Sequence, residues 1–235
     1  MRLLIWHGRY TATAGGWRHD PCVSGRLWVI IQPTGRVFPQ QQRCIMQVLI
    51  MRHGDAVSEA ASDAERPLTD RGRDESGLMA RWLSGQVADI DRVLVSPYLR
   101  ARQTLDTLQA YLVLPDGHEV LPELTPGGDA GLVCCYLQAL ANEGLNRVLV
   151  ISHLPLVGYL VVDLCPEEQP PMFATSAVAG VDLDAVSGSG KLCWQVGPTQ
   201  LLSRANATAV ESLNKGRAGA AKAVPESGDY DLFPC

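Results

Sequence analysis

Gln47-Val48-Leu49-Ile50-Met51-Arg52-His53-Gly54 is the stretch that decides the fold. An unbroken apolar run of strand length reads as a strand buried on both faces, the habit of parallel sheets. It ends in an arginine, a histidine and a glycine. In open α/β sheets the carboxyl ends of the strands are where ligands bind. The same setting recurs at Arg147-Val148-Leu149-Val150-Ile151-Ser152-His153. Between them, Arg92-Val93-Leu94-Val95 runs into Ser96-Pro97-Tyr98-Leu99-Arg100-Ala101-Arg102-Gln103-Thr104. Three strand ends thus deliver two histidines, His53 and His153, and two arginines, Arg52 and Arg100, to what one pocket can hold.

Outward from these strands the chain alternates. After strand 47–52 comes a polar loop, Ser58 to Arg66, and then Pro67-Leu68-Thr69-Asp70, a helix start with Thr69 as N-cap. Leu78, Met79, Trp82 and Leu83 give that helix a core face. Strand 92–95 leads to a helix near 98–112, a short strand at Val120-Leu121, a helix over about 129–142, strand 147–152 and helix 155–164. Ala177 to Asp184 and Leu192 to Val196, separated by Ser187-Gly188-Ser189-Gly190, read as a hairpin on the sheet edge. Strands alternating with helices predict an α/β three-layer sandwich, its sheet mostly parallel and covered on both faces.

The 235 residues suffice for one sizeable domain, placed at 46–202. Residues 1–45 carry Trp6, Trp17, Trp28 and Gln40-Gln41-Gln42 with no sustained period, and are read as a non-native or poorly ordered extension. The rival is a β-rich appendage around Leu27-Trp28-Val29-Ile30-Ile31. Residues 203–235, rich in Ala, Ser, Gly and Asn, are read as a frayed helix and disordered tail.

A net charge of −5 argues against general nucleic-acid binding, which wants a basic face. Seven cysteines without a Cys-x-x-Cys spacing read as reduced thiols in a cytoplasm. The longest apolar stretch, Val148 to Leu164, is interrupted by Ser152, His153, Pro155 and Asp163, so no membrane span is expected. Met1 to His7 is too briefly apolar for a signal peptide. Gly190-Lys191 lacks the rest of a phosphate loop, and no Gly-x-Gly-x-x-Gly occurs.

Arg-His-Gly after the first strand, Ser-Pro-x-x-Arg-Ala-x-Gln-Thr after a later one and Ser-His after another resemble, in that order, the histidine phosphatase superfamily of phosphoglycerate mutases and acid phosphatases. Arg66-Pro67-Leu68-Thr69, Leu121-Pro122-Glu123-Leu124-Thr125-Pro126 and Val150 to Val157 narrow the resemblance to the small SixA-type phosphohistidine phosphatases of bacteria, over about residues 46–200. It implies a phosphoglycerate mutase-like fold with a reduced lid, since residues 101–152 are already used by core elements.

The resemblance implies a division of labour. His53 is the nucleophile, its neutral imidazole attacking phosphorus in line to give a phosphohistidine enzyme. The arginines disfavour imidazolium, and a nearby carbonyl holds the other ring nitrogen. Arg52 and Arg100 offer forked donors to the phosphoryl oxygens, with Arg66 a third contact. His153 hydrogen-bonds the same oxygens. No metal and no cofactor are required. Phosphoester enzymes of the superfamily add a carboxylic acid for the leaving alkoxide. Glu123 lies near where that acid falls, but the usual continuation is missing, and Glu123 stays outside the catalytic set. Imidazole is the better leaving group, which favours phosphohistidine. The implied partner is a histidine-containing phosphotransfer domain or phosphocarrier protein, with no nucleic acid and no membrane, and the chain is expected to act as a monomer. The rivals are a small-molecule phosphomonoesterase and a phosphohistidine-binding module without turnover.

Overall fold

The computed structural model describes residues 45–203 and, upstream, the backbone of four short strands. These are β1 (Tyr10–Thr13), β2 (Gly16–His19), β3 (Val29–Ile31) and β4 (Val37–Pro39), pairing β1 with β2 and β3 with β4. The expected extension over 1–45 otherwise lies outside the described residues, as does the expected tail beyond Ser203. The described chain ends in helix at 198–203.

From Ile45 onward the elements follow the alternation. They are β5 (Ile45–Arg52), α1 (Asp70–Ser84), β6 (Arg92–Val95), α2 (Leu99–Gln109), β7 (Glu119–Val120), α3 (Ala130–Asn142), β8 (Arg147–Ser152), α4 (Leu156–Leu164), β9 (Val178–Asp184) and β10 (Gly190–Val196). One mixed sheet runs β10-β9-β5-β8-β6-β7. The β5–β8, β8–β6 and β6–β7 pairs are parallel; β9 and β10 pair antiparallel at one side, the predicted edge hairpin.

Period-two alternation sorts the strand side chains between two cores. Val48, Ile50, Val148, Val150 and Leu94 face α3 and α4, meeting Leu137, Leu160 and Val161. Leu49, Met51, Leu149, Ile151, Val93 and Val95 face α1 and α2, meeting Met79, Leu83, Leu105 and Leu108. Helices on both faces make the three layers. Thr69 caps α1, its hydroxyl accepting from the Gly72 N–H at 3.0 Å. Trp194 of β10 lies across Gly180 and meets Trp82 of α1 edge-on, ring centroids 5.4 Å apart. A Cβ at Gly180 would stand 2.4 Å from the indole, so only glycine leaves room there.

Candidate active site

Adjacency and register bring the strand ends together. Arg52 stands beside Ser152, and Val95 beside Ile151, in the parallel ladders of β5–β8 and β8–β6. The ladder continues one step past the strands: the His53 N–H donates to the Ser152 carbonyl and the Ser96 N–H to the Ile151 carbonyl, both at 3.0 Å. His53, His153 and Ser96 therefore emerge at one edge. The two imidazoles lie with centroids 4.8 Å apart, tilted by 53°.

His53 is held as one neutral tautomer. Its Nδ1 lies 2.6 Å from the Gly54 carbonyl, which only accepts, so Nδ1 carries the proton. Its Nε2 receives the Arg100 Nε–H at 3.2 Å, and arginine only donates, so Nε2 keeps its lone pair. Burial, then the charges of Arg100, Arg52 and Arg66, push His53 down from 6.5 to about 4, against the Gly54 contact that favours protonation. The arginines expected to disfavour imidazolium do contribute, but desolvation is the larger cause.

Gly54 makes the close approach possible. A Cβ there would meet the Gly72 carbonyl at 2.6 Å and Ser76 Oγ at 2.7 Å. Thr104 Oγ1 accepts from the Gly54 N–H at 3.0 Å and donates to the Arg100 carbonyl at 2.7 Å, tying β5 to α2. On the other side Ser176, at φ 59°, donates its N–H to the His53 carbonyl at 3.1 Å. That left-handed backbone is uncommon for serine. The Ser176 and Ser76 hydroxyls are 3.0 Å apart and fully buried.

His153 is almost wholly buried, and burial, then His53 and Arg100, push it down to about 2. Its Nε2 lies 2.7 Å from Ser96 Oγ, and its Nδ1 is buried with no partner among the described residues. The Tyr98 ring meets His153 edge-on at 5.1 Å, and the Arg100 guanidinium stacks over the same ring at 4.9 Å.

The arginines arrive from three directions. Arg52, ending β5, donates Nη1 to the Phe173 carbonyl at 2.7 Å, and its Nε is buried without a partner among the described residues. Arg100, in the first turn of α2, is nearly buried and points its Nε at His53. Arg66 ends the loop, with Nε on the Val57 carbonyl at 2.6 Å, close enough that its charge acts on His53. Asp63 bridges two of them: Oδ1 accepts from Arg66 Nη1 at 2.9 Å and Oδ2 from Arg100 Nη2 at 3.0 Å. Hydrogen bonds from Arg66 and then Arg100 hold its carboxyl below the usual range. A cavity of about 460 Å³ beside this loop is lined by Ser58, Glu59, Ala60, Ser62, Asp63 and Arg66.

The structure thus gathers His53, Arg52, Arg100 and His153, with Arg66 at the margin. Glu123 sits in a 3-10 turn, Pro122–Leu124. The neighbouring Leu124 carbonyl accepts from Ser152 Oγ at 2.7 Å. The roles of Ser96, Tyr98, Asp63, Thr104 and Ser176 were not read from the sequence. Ser96, Tyr98 and Thr104 lie in the quoted arginine motif, which marks them but not their contacts. Asp63 and Ser176 carry no local pattern at all. Among the described residues no group of three or more His, Cys, Asp or Glu side chains could hold a metal, and no helix is long and apolar enough to cross a membrane.

Known proteins resemble a large part of this chain. The pattern of the histidine phosphatase superfamily (branch 1) matches residues 48–131. Phosphohistidine phosphatase SixA of Escherichia coli (strain K12) is 65% identical over 156 residues, 66% of this chain and 96% of that protein. A SixA homolog of Haemophilus influenzae is 40% identical over 141 residues, 57% of this chain and 86% of that one. A solved structure of the protein histidine phosphatase SixA complexed with tungstate superposes with a TM-score of 0.65 at 65% identity, covering 66% of this chain and 99% of the other.

Proposed function

The chain belongs to the histidine phosphatase superfamily, and from that premise we propose that it is a protein-histidine phosphatase. It hydrolyses phosphohistidine on a histidine-containing phosphotransfer domain or phosphocarrier protein. One observation carries the reading: a buried, neutral His53 whose bare Nε2 faces Arg100, with Arg52, Arg66 and His153 around it.

The lone pair on His53 Nε2 attacks phosphorus in line and the P–N bond breaks, the substrate ring leaving as neutral imidazole because its other nitrogen carries a proton. Arg100 turns from Nε2 to the phosphoryl oxygens as the group arrives. Arg52 and Arg66 supply further donors, so charge on the equatorial oxygens meets fixed positive groups in a site of low dielectric. His153 adds a neutral donor. Water then attacks the phosphohistidine enzyme, releasing inorganic phosphate and restoring His53.

The leaving group distinguishes phosphohistidine from phosphoesters. An alkoxide needs a proton from an acid as it departs. Asp63, which bridges two of these arginines, is held ionised by Arg66 and Arg100 and is ill suited to that task. A phosphorylated imidazole takes its proton on the distal ring nitrogen before the bond breaks, so it needs no acid from the enzyme. The printed name of the 65% identical relative supports the same substrate class. Among the described residues, the free thiols of Cys134, Cys135, Cys165 and Cys193 support a cytoplasmic setting.

The test is phosphate release from a phosphohistidine-bearing phosphotransfer domain. The wild-type protein is expected to release phosphate and His53→Ala to be slower by at least about 10⁴-fold, without a phosphoenzyme. Hydrolysis of simple phosphomonoesters, lost on Glu123→Gln and with no release from phosphohistidine, would move the assignment to a small-molecule phosphatase. Binding without release by either protein would leave a phosphohistidine-binding module.

A further inference from the structure

Ser96 stands behind His153, away from His53, and its hydrogen bonding allows little freedom. The hydroxyl has one proton and two lone pairs. The Tyr98 N–H points at Oγ from 3.3 Å and takes one lone pair. The remaining contact of Oγ is His153 Nε2, at 2.7 Å. Ser96 is fully buried, so its proton has no water to go to at the protein surface. A buried hydroxyl proton left without an acceptor is costly, and Nε2 is the acceptor within reach. With Nε2 accepting, the neutral ring carries its own proton on Nδ1. That atom is buried and has no partner among the described residues. Orphaned buried N–H groups are rare in proteins, and one beside a reactive histidine is the kind a ligand completes.

We propose that Ser96 is a positioning residue: its hydroxyl donates to Nε2 of His153, fixes the Nδ1–H tautomer, and so presents a neutral donor to the phosphoryl group at His53. The fixing of the tautomer stands on the contacts alone; its use rests on the phosphoryl-transfer reading above. The choice matters because the opposite tautomer would present a lone pair to an anionic oxygen and repel it. A neutral ring can make this donation at any pH where it stays uncharged.

Nitrogen-15 spectra of the full-length protein separate a protonated ring nitrogen from a bare one, with His153 assigned by comparison with His153→Gln. In the wild type the proton is expected on Nδ1 alone, and its resonance should shift when inorganic phosphate binds. In Ser96→Ala the ring should spread over both tautomers, while phosphate release falls roughly 10- to 100-fold with a smaller change in KM. Ser96→Thr, which keeps the hydroxyl, should retain the Nδ1–H form.

A bare Nδ1 in the wild type overturns the proposal whatever the activity, and needs no variant to fold. So does an unchanged tautomer in Ser96→Ala, or phosphate that perturbs His53 and leaves the His153 Nδ1–H unmoved. If the tautomer and its response to phosphate hold while no phosphohistidine is hydrolysed, the substrate assignment fails and the role of Ser96 stands.

Discussion

A nucleophilic His53 requires a neutral imidazole, and here neutrality comes mainly from burial. The consequence can be measured directly. His53 titrates at about 4 in the folded protein against an ordinary 6.5, and His153 at about 2. An unfolded chain therefore binds protons between those values that the folded chain refuses. Stability rises with pH across that window and is lost as pH falls from the ordinary value toward the folded one. By about pH 5 each of these two histidines should have removed on the order of 2 kcal/mol. Urea unfolding at neutral pH and near pH 5 tests this, and an imidazole NMR titration assigns it. A His53 ring that charges near its ordinary value would show that the site is wetter than the geometry implies.

The loop between β5 and α1 is the element that decides how readily an anion enters. Ser58 to Glu65 are all exposed, yet Asp63 reaches back to a buried Arg100 and to Arg66. Its two carboxylate oxygens take donors that a phosphoryl group would use. An ion pair with one exposed partner contributes up to about 1 kcal/mol, so releasing it is worth roughly a fivefold change in affinity. Asp63→Asn should therefore bind inorganic phosphate severalfold more tightly by calorimetric titration. Weaker binding would mean that Asp63 holds the two arginines in place for the anion instead of competing with it. The loop was legible as polar in composition, and Thr69 as the cap that ends it, because caps are local. That Asp63 would bridge Arg66 and Arg100 was not legible, since Arg100 lies 37 residues away on another element.

At the scale of the molecule, the six-stranded sheet, both cores and every residue assigned to the site lie within 45–203. A protein of residues 46–203 is expected to melt within about 3 °C of the full chain and to release phosphate at the same rate, by calorimetry and phosphate assay. A large loss of either would show that one of the two ends is part of the working structure. The sequence by itself determined the elements and their order. Apolar runs at Val48–Met51, Val93–Val95 and Val148–Ile151, and the residues that cap and break them, act through near neighbours along the chain. It also placed His53, His153 and the Ser96–Thr104 motif immediately beyond strand ends. Only the tertiary structure decided what those residues do to one another. The order β5-β8-β6 sets His153 between His53 and Ser96, and burial between two helical layers neutralises both rings. Desolvation and the choice of tautomer depend on groups 47 to 57 residues apart in the chain and on the water excluded between them, neither of which a linear pattern encodes.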